Sequence, residues 1–186
     1  MPEPKQGTSS IGLPMHYSAG AVIQDDHGRY LLIDRVKPPF GWAGPAGHVD
    51  EGEDALTAVQ REVLEETGLT VVESELLFAE EIVGNYCRRG TTIHHWSLYR
   101  CRVTGELKTK PDEVKSFRWI SAEELTTLQL EPVWMYWFDK LGICNVDQCE
   151  GENILRCAEC SAPIVDGFCP RCGFAPSAQD MYIGIK

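Results

Sequence analysis

Glu62, Glu65 and Glu66 stand at i, i+3 and i+4, a spacing that puts three carboxylates on one face of a helix. Like charges so placed repel by about 0.2–0.5 kcal/mol per pair, so the pattern calls for a cation among them. A hard divalent ion with oxygen ligands suits it, and magnesium in particular takes one or two protein carboxylates and leaves its other positions to water and substrate phosphates. The surrounding charge is concentrated in the same way. Between Gly47 and Leu69 seven acids (Asp50, Glu51, Glu53, Asp54, Glu62, Glu65, Glu66) face one base, Arg61, which supplies −6 of a net charge of −11. A second chemical pattern lies near the C-terminus, where Cys157-x2-Cys160 and Cys169-x2-Cys172 are separated by eight residues. Four thiolates so arranged suit tetrahedral Zn²⁺ and leave no open coordination position, so the expected role is structural. Two disulfides or a redox pair are the competing readings. Cys144 and Cys149 lack a partner knuckle and, like Cys87 and Cys101, read as thiols.

The glutamates need a helix, and the stretch from Glu53 to Thr67 supplies one. It lacks Pro and Gly, acids fall in its expected first turn, and Gly68 stands where a left-handed C-cap is wanted. Ahead of it, Pro38 to Gly47 is too rich in Pro and Gly for helix or ladder and reads as a delivering loop. Tyr17 to Ile23 and Tyr30 to Arg35 bracket the turn-forming Asp25-Asp26-His27-Gly28 and read as a β-hairpin. Val71 to Val83 and Thr91 to Val103, joined through Asn85 to Gly90, read as further strands, as does Phe117 to Ile120. Together they predict a mixed, mostly antiparallel sheet. Ser121-Ala122-Glu123-Glu124 has capping-box spacing. Pro132 suits the first turn of a helix carrying Trp134, Trp137, Phe138 and Leu141 at core spacing.

With 186 residues, the chain suits one domain and a small appendage. The expected division is a flexible leader over 1–15, a domain over 16–142, a linker over 143–153 and a zinc-ribbon tail over 154–186. Hydrophobic residues at 43% and charged ones at 24% support a packed core rather than disorder. No basic region followed by an apolar run precedes the first strand, and no stretch reaches a membrane span, so the expected setting is cytoplasmic. The acidic excess repels phosphate backbones and anionic membrane surfaces, which makes nucleic acid an unlikely partner class.

Gly47, five residues, Glu53, seven residues and then Arg61-Glu62-Val63-Leu64-Glu65-Glu66-Thr67-Gly68-Leu69 resembles the complete signature of the Nudix hydrolase family. The resemblance covers roughly residues 16–142 and implies an α/β/α sandwich around a mixed sheet, with the signature forming a loop, helix and loop. It implies further that Glu65 and Glu66 bind Mg²⁺ or Mn²⁺, that the Ala46 carbonyl adds a ligand, and that Glu62 binds metal or positions water. Arg61 would brace the helix against Glu53. A later carboxylate often completes the family's site; Glu113 is the candidate, with Asp112, Glu80 and Glu81 as rivals. The implied activity is pyrophosphohydrolysis of a nucleoside diphosphate linked to another group, such as a dinucleoside polyphosphate, ADP-ribose, a nucleotide sugar or a nucleoside triphosphate. The alternative is a non-catalytic nucleotide sensor that uses the ribbon to contact a partner.

Tyr86 stands where a resemblance to diadenosine polyphosphate hydrolases would put a substrate-contacting Tyr. Arg88 and Arg89 follow on the same connection and can offer bidentate bonds to phosphate. Phe40 and Trp42 are candidates to stack on a base, against a packing role. His94 and His95 point to opposite faces of a strand, so at most one reaches the site. Nothing between Thr70 and Gly90 matches the stretch that follows the signature in Nudix NADH pyrophosphatases. The cysteine tail resembles the short zinc ribbons found at protein termini, a place for a homodimer or protein contact.

Overall fold

Along Pro14–Ile23 the side chains alternate, sending Ala19, Ala21 and Ile23 to one buried face and Val22 to the other. A strand buried on both sides must sit inside a sheet with helices over each face. The computed structural model describes residues 3–37, 39–85, 87–108 and 112–144, and the backbone of Leu155–Cys157 and Met181–Ile183. In chain order the elements are β1 (Gln6–Thr8), β2 (Pro14–Ile23), β3 (Tyr30–Arg35), β4 (Trp42–Ala43), β5 (Ala46–His48), α1 (Ala55–Thr67), β6 (Thr70–Val83), β7 (Ile93–Thr104), β8 (Val114–Ile120), α2 (Ala122–Leu125), α3 (Pro132–Lys140), β9 (Leu155–Cys157) and β10 (Met181–Ile183). The mixed sheet runs β1-β2-β7-β6, with β5 also on β2. Its β2–β7 pair is parallel and the rest are antiparallel. Helix α1 covers one face through Ala58, Val59 and Val63, and α3 packs Trp134, Trp137 and Phe138 on the opposite side.

Several expectations need correction. The Asp25–Gly28 turn forms, with Asp25 N–H bonded to Arg29 O at 2.9 Å, but β2 and β3 share only the Gln24–Tyr30 bridge. Both edges of β2 are already taken, by β7 and by β1 with β5, so β3 leaves to pair with β4 and β8 in a second, three-stranded sheet. The Pro- and Gly-rich stretch is not wholly loop, since β4 and β5 lie in it. The leader is not loose: β1 pairs with β2, Lys5 N–H bonds Val49 O at 2.8 Å, and Glu51 N–H bonds Glu3 O at 3.0 Å. It satisfies backbone groups that β2 and the Val49–Glu51 turn would otherwise leave open. Gly7 permits this contact, because a Cβ there would lie 2.9 Å from the Tyr17 ring.

Helix α1 begins at Ala55, one residue after the capping Asp54, whose carboxylate accepts from Thr57 N–H at 2.8 Å. The acids therefore cap the helix instead of filling its first turn. Gly68 is the left-handed C-cap, at φ 74°. The capping box at Ser121 and Glu124 forms as expected. Cys160, Cys169 and Cys172 lie outside the described residues, and Cys157 is described only as backbone in β9, which pairs antiparallel with β10. Among the described residues no helix is long and apolar enough to cross a membrane.

Candidate active site

Arg61 organises the approach to α1. Its guanidinium donates to Glu53 at 3.0 and 2.9 Å, to the His48 carbonyl at 2.9 Å and to Glu62 at 2.6 Å. Glu53 also accepts from Asp50 N–H at 3.0 Å. The bonds from Arg61 hold the Glu53 carboxyl below its usual range. One arginine thus ties the loop before α1 to the middle of the helix. Glu62 passes directly over Gly47, where a Cβ would lie 2.1 Å from its Oε1. A methyl group at that point meets a carboxylate held by Arg61. Gly47→Ala is therefore expected to displace Glu62 and lower kcat by about 10²-fold or more with little change in thermal stability, measured by initial rates beside a melting curve.

A second arginine lies deeper. Arg35 donates to the Ala46 carbonyl at 2.7 Å and to Glu66 at 3.2 Å, and pairs with Glu131 at 3.4 Å. Glu66 also accepts from Ala46 N–H at 2.9 Å. Burial pushes the Glu62 and Glu66 carboxyls upward and that of Glu131 to about 7, against the opposing pull of Arg61 or Arg35. These groups border a cavity of about 350 Å³.

Of the residues singled out in the sequence, Ala46, Arg61, Glu62, Glu65, Glu66, Arg88, Arg89 and Glu113 line that cavity. Glu80 is turned away, bonded to Tyr136 and Lys140 at 2.5 Å, and Glu81 is held by Ser10 at 2.7 Å. Asp112 and Trp42 are not on the cavity wall. Trp42 packs against the α3 core with Arg118 over its ring at 5.8 Å, and Phe40 is exposed beside Lys115. Trp42 lies in β4, opposite Asp34 of β3. Tyr86 lies outside the described residues. His94 reaches the wall and His95 does not.

Residues 14–138 match the family model of the NUDIX domain. The chain belongs to the Nudix family. Curated relatives include an RNA pyrophosphohydrolase of Caulobacter vibrioides, 46% identical over 63 residues, or 32% of this chain and 37% of that protein. A second, the nucleoside diphosphate-linked moiety X motif 6 protein of Xenopus laevis, is 42% identical over 67 residues, covering 36% and 29%. The chain thus spans about a third of the length of these relatives. Among solved structures, a MutT NUDIX hydrolase from Burkholderia pseudomallei aligns with TM-score 0.52 at 29% identity, over 59% of this chain and 84% of that one. The NUDIX domain of Shewanella oneidensis NrtR, complexed with ADP ribose, shares the fold with TM-score 0.54 at 21% identity, over 71% and 84%.

Nudix hydrolases use divalent metals such as Mg²⁺, and the donor set here fits one. Glu62, Glu65, Glu66 and the Ala46 carbonyl offer only hard oxygens on one wall, with three carboxylates there against the two guanidinium partners Arg61 and Arg35. Arg35 and Glu131 were not foreseen as part of this Nudix site. Arg35 ends a strand and Glu131 precedes a helix, each without a spacing partner, and only the fold brings them within 3.4 Å.

Proposed function

We propose that the chain is a Mg²⁺-dependent pyrophosphohydrolase acting on phosphoric anhydride bonds of a nucleoside diphosphate linked to another group. The observation that carries the reading is one cavity with Glu62, Glu65, Glu66 and Glu113 on its wall together with Arg88 and Arg89. Anionic donors for a cation and guanidinium forks for phosphate oxygens border the same space. In this reading Glu65, Glu66, Glu62 and the Ala46 carbonyl hold the metal, which when bound neutralises phosphate charge and lowers the pKa of a coordinated water. Arg61 and Glu53 keep the helix in register with that loop. Glu113 serves as ligand or base, and Arg88 and Arg89 bind the polyphosphate, with Tyr86 contributing from the same connection.

For the tail, we propose a structural zinc ribbon over 154–186, following the domain over 16–142 and the linker over 143–153, with Cys157, Cys160, Cys169 and Cys172 as ligands. The antiparallel pairing of Leu155–Cys157 with Met181–Ile183 supports a closed unit. Such a unit offers a contact to a second copy or a protein partner.

The test is phosphate or nucleotide release with Mg²⁺ across dinucleoside polyphosphates, ADP-ribose, nucleotide sugars, nucleoside triphosphates and a 5′-triphosphorylated RNA. Turnover of one class is expected, with the RNA slower, because a net charge of −11 works against holding a phosphate backbone. Silence across the panel, with Mg²⁺ bound, overturns the enzyme reading in favour of a sensor.

A further inference from the structure

Three adjacent strands carry a histidine to one point. His16 on β2 lies in register with His94 on the parallel β7, and His48 on β5 faces Ser18, two residues along β2 and so on the same face. The three imidazole centroids are 5.4, 5.4 and 5.8 Å apart. His94 Nε2 stands 3.3 Å from His48 Nε2, and His16 Nδ1 stands 3.7 Å from the sulfur of Cys87, which enters from the Gly84–Gly90 connection. One ligand atom from each residue falls within 4.8 Å of all the others.

We propose that His16, His48, Cys87 and His94 hold a zinc ion that fastens this connection to the sheet and so sets Arg88 and Arg89 at the cavity. The chemistry of the donors decides the ion. Three imidazoles and a thiolate are poor ligands for magnesium and good ones for zinc, which binds nitrogen at roughly 2.0–2.1 Å and sulfur at roughly 2.3 Å in a tetrahedron. Donor atoms on such a tetrahedron are roughly 3.3–3.6 Å apart, close to the 3.3 and 3.7 Å of the two near pairs. The two charges therefore sort: Mg²⁺ to the all-oxygen wall, Zn²⁺ to the nitrogen and sulfur cluster. Four protein ligands leave no open position, so the ion is structural.

The connection is prepared to present its sulfur. Cys87 N–H bonds Thr91 O and Gly90 N–H bonds Cys87 O, both at 3.1 Å, while Asn85 is anchored by Trp96 Nε1 at 2.7 Å. A Cys87 thiolate would also offset positive charge from the neighbouring Arg88 and Arg89. None of the four donors comes from the tail, whose first cysteine, Cys157, lies 70 residues beyond Cys87 in the sequence.

The experiment takes the full chain with Cys157, Cys160, Cys169 and Cys172 all changed to Ser, strips it of metal, and titrates Co²⁺ in excess Mg²⁺. One equivalent is expected to bind with tetrahedral d–d bands and a thiolate charge-transfer absorption. Cys87→Ser should remove that absorption, and adding His48→Ala should weaken binding by roughly 100-fold or more, since loss of outer partners alone costs about 10–100-fold. No stoichiometric binding, or a spectrum indifferent to Cys87→Ser, overturns the proposal. If the fourfold variant does not fold, native mass spectrometry compares wild type with Cys87→Ser/His48→Ala. A loss of one zinc per chain supports the site and an unchanged zinc content overturns it.

Discussion

Glu65→Gln is expected to cut turnover by about 10³-fold while leaving the fold unchanged. The carboxylate is exposed on α1 yet on the cavity wall, so removing its charge touches the chemistry without emptying the core. Exposed substitutions of this kind usually shift stability by no more than about 0.5 kcal/mol, and here the change also relieves repulsion from Glu62 three residues away. The loss of rate arises because a metal that neutralises developing phosphate charge supplies several kcal/mol, and about 4 kcal/mol is a factor of roughly 10³. Glu66→Gln is a less clean probe. Its side chain is buried, bonded to Ala46 N–H and Arg35, and its replacement would disturb the fold and the metal together. The measurement is initial rate at saturating Mg²⁺ on the substrate class found in the panel, beside a thermal melt. Full activity in a folded Glu65→Gln variant would remove the carboxylate helix from the mechanism.

Local patterns in the chain carried part of this site and could not carry the rest. Helix α1 was legible because its determinants are contiguous: an unbroken run without Pro or Gly, and Gly68 at the end; the acids ahead of it, expected in the first turn, supply its cap instead. Glu62 and Gly47 were legible as letters of a signature, but the reason for Gly47, a carboxylate where its Cβ would be, needs the packed helix. Arg35 gave no signal, since a single arginine at a strand end is ordinary until Ala46, Glu66 and Glu131 surround it. His16, His48 and His94 are 32 and 46 residues apart in sequence, and only strand register brings them together. Trp42 was open between stacking on a base and packing, and the fold places it against the α3 core cluster. The hairpin reading failed: the turn was correct, but competition for the edges of β2 is decided by strands far along the chain.

Arg35→Ala is expected to be the most damaging single change to stability, about 3–5 kcal/mol near pH 8, because it leaves buried carboxylates without their counter-charge. Arg35 is the group that donates to the Ala46 carbonyl and Glu66 and pairs with Glu131. The effect has a definite pH sign. Burial raises the Glu131 carboxyl from 4.5 to about 7 and pushes Glu66 upward as well. A carboxyl raised in the fold incurs no ionisation cost below its unfolded value near 4.5, and that cost grows as pH climbs through the folded value. Removing Arg35 raises both groups further. The penalty of Arg35→Ala should therefore be small near pH 5, where mainly packing is lost, and large near pH 8. Chemical denaturation at the two pH values measures it, with Arg35→Lys as a variant that keeps the charge but loses the fork. Mg²⁺ supplies an independent readout, since under the proposed function a cation held by Glu66 and the Ala46 carbonyl would stand in for the missing guanidinium. Its addition should raise the melting temperature of Arg35→Ala more than that of the wild type. A penalty flat with pH and indifferent to Mg²⁺ would mean that Arg35 is held for its shape, and that the two buried glutamates do not depend on its charge.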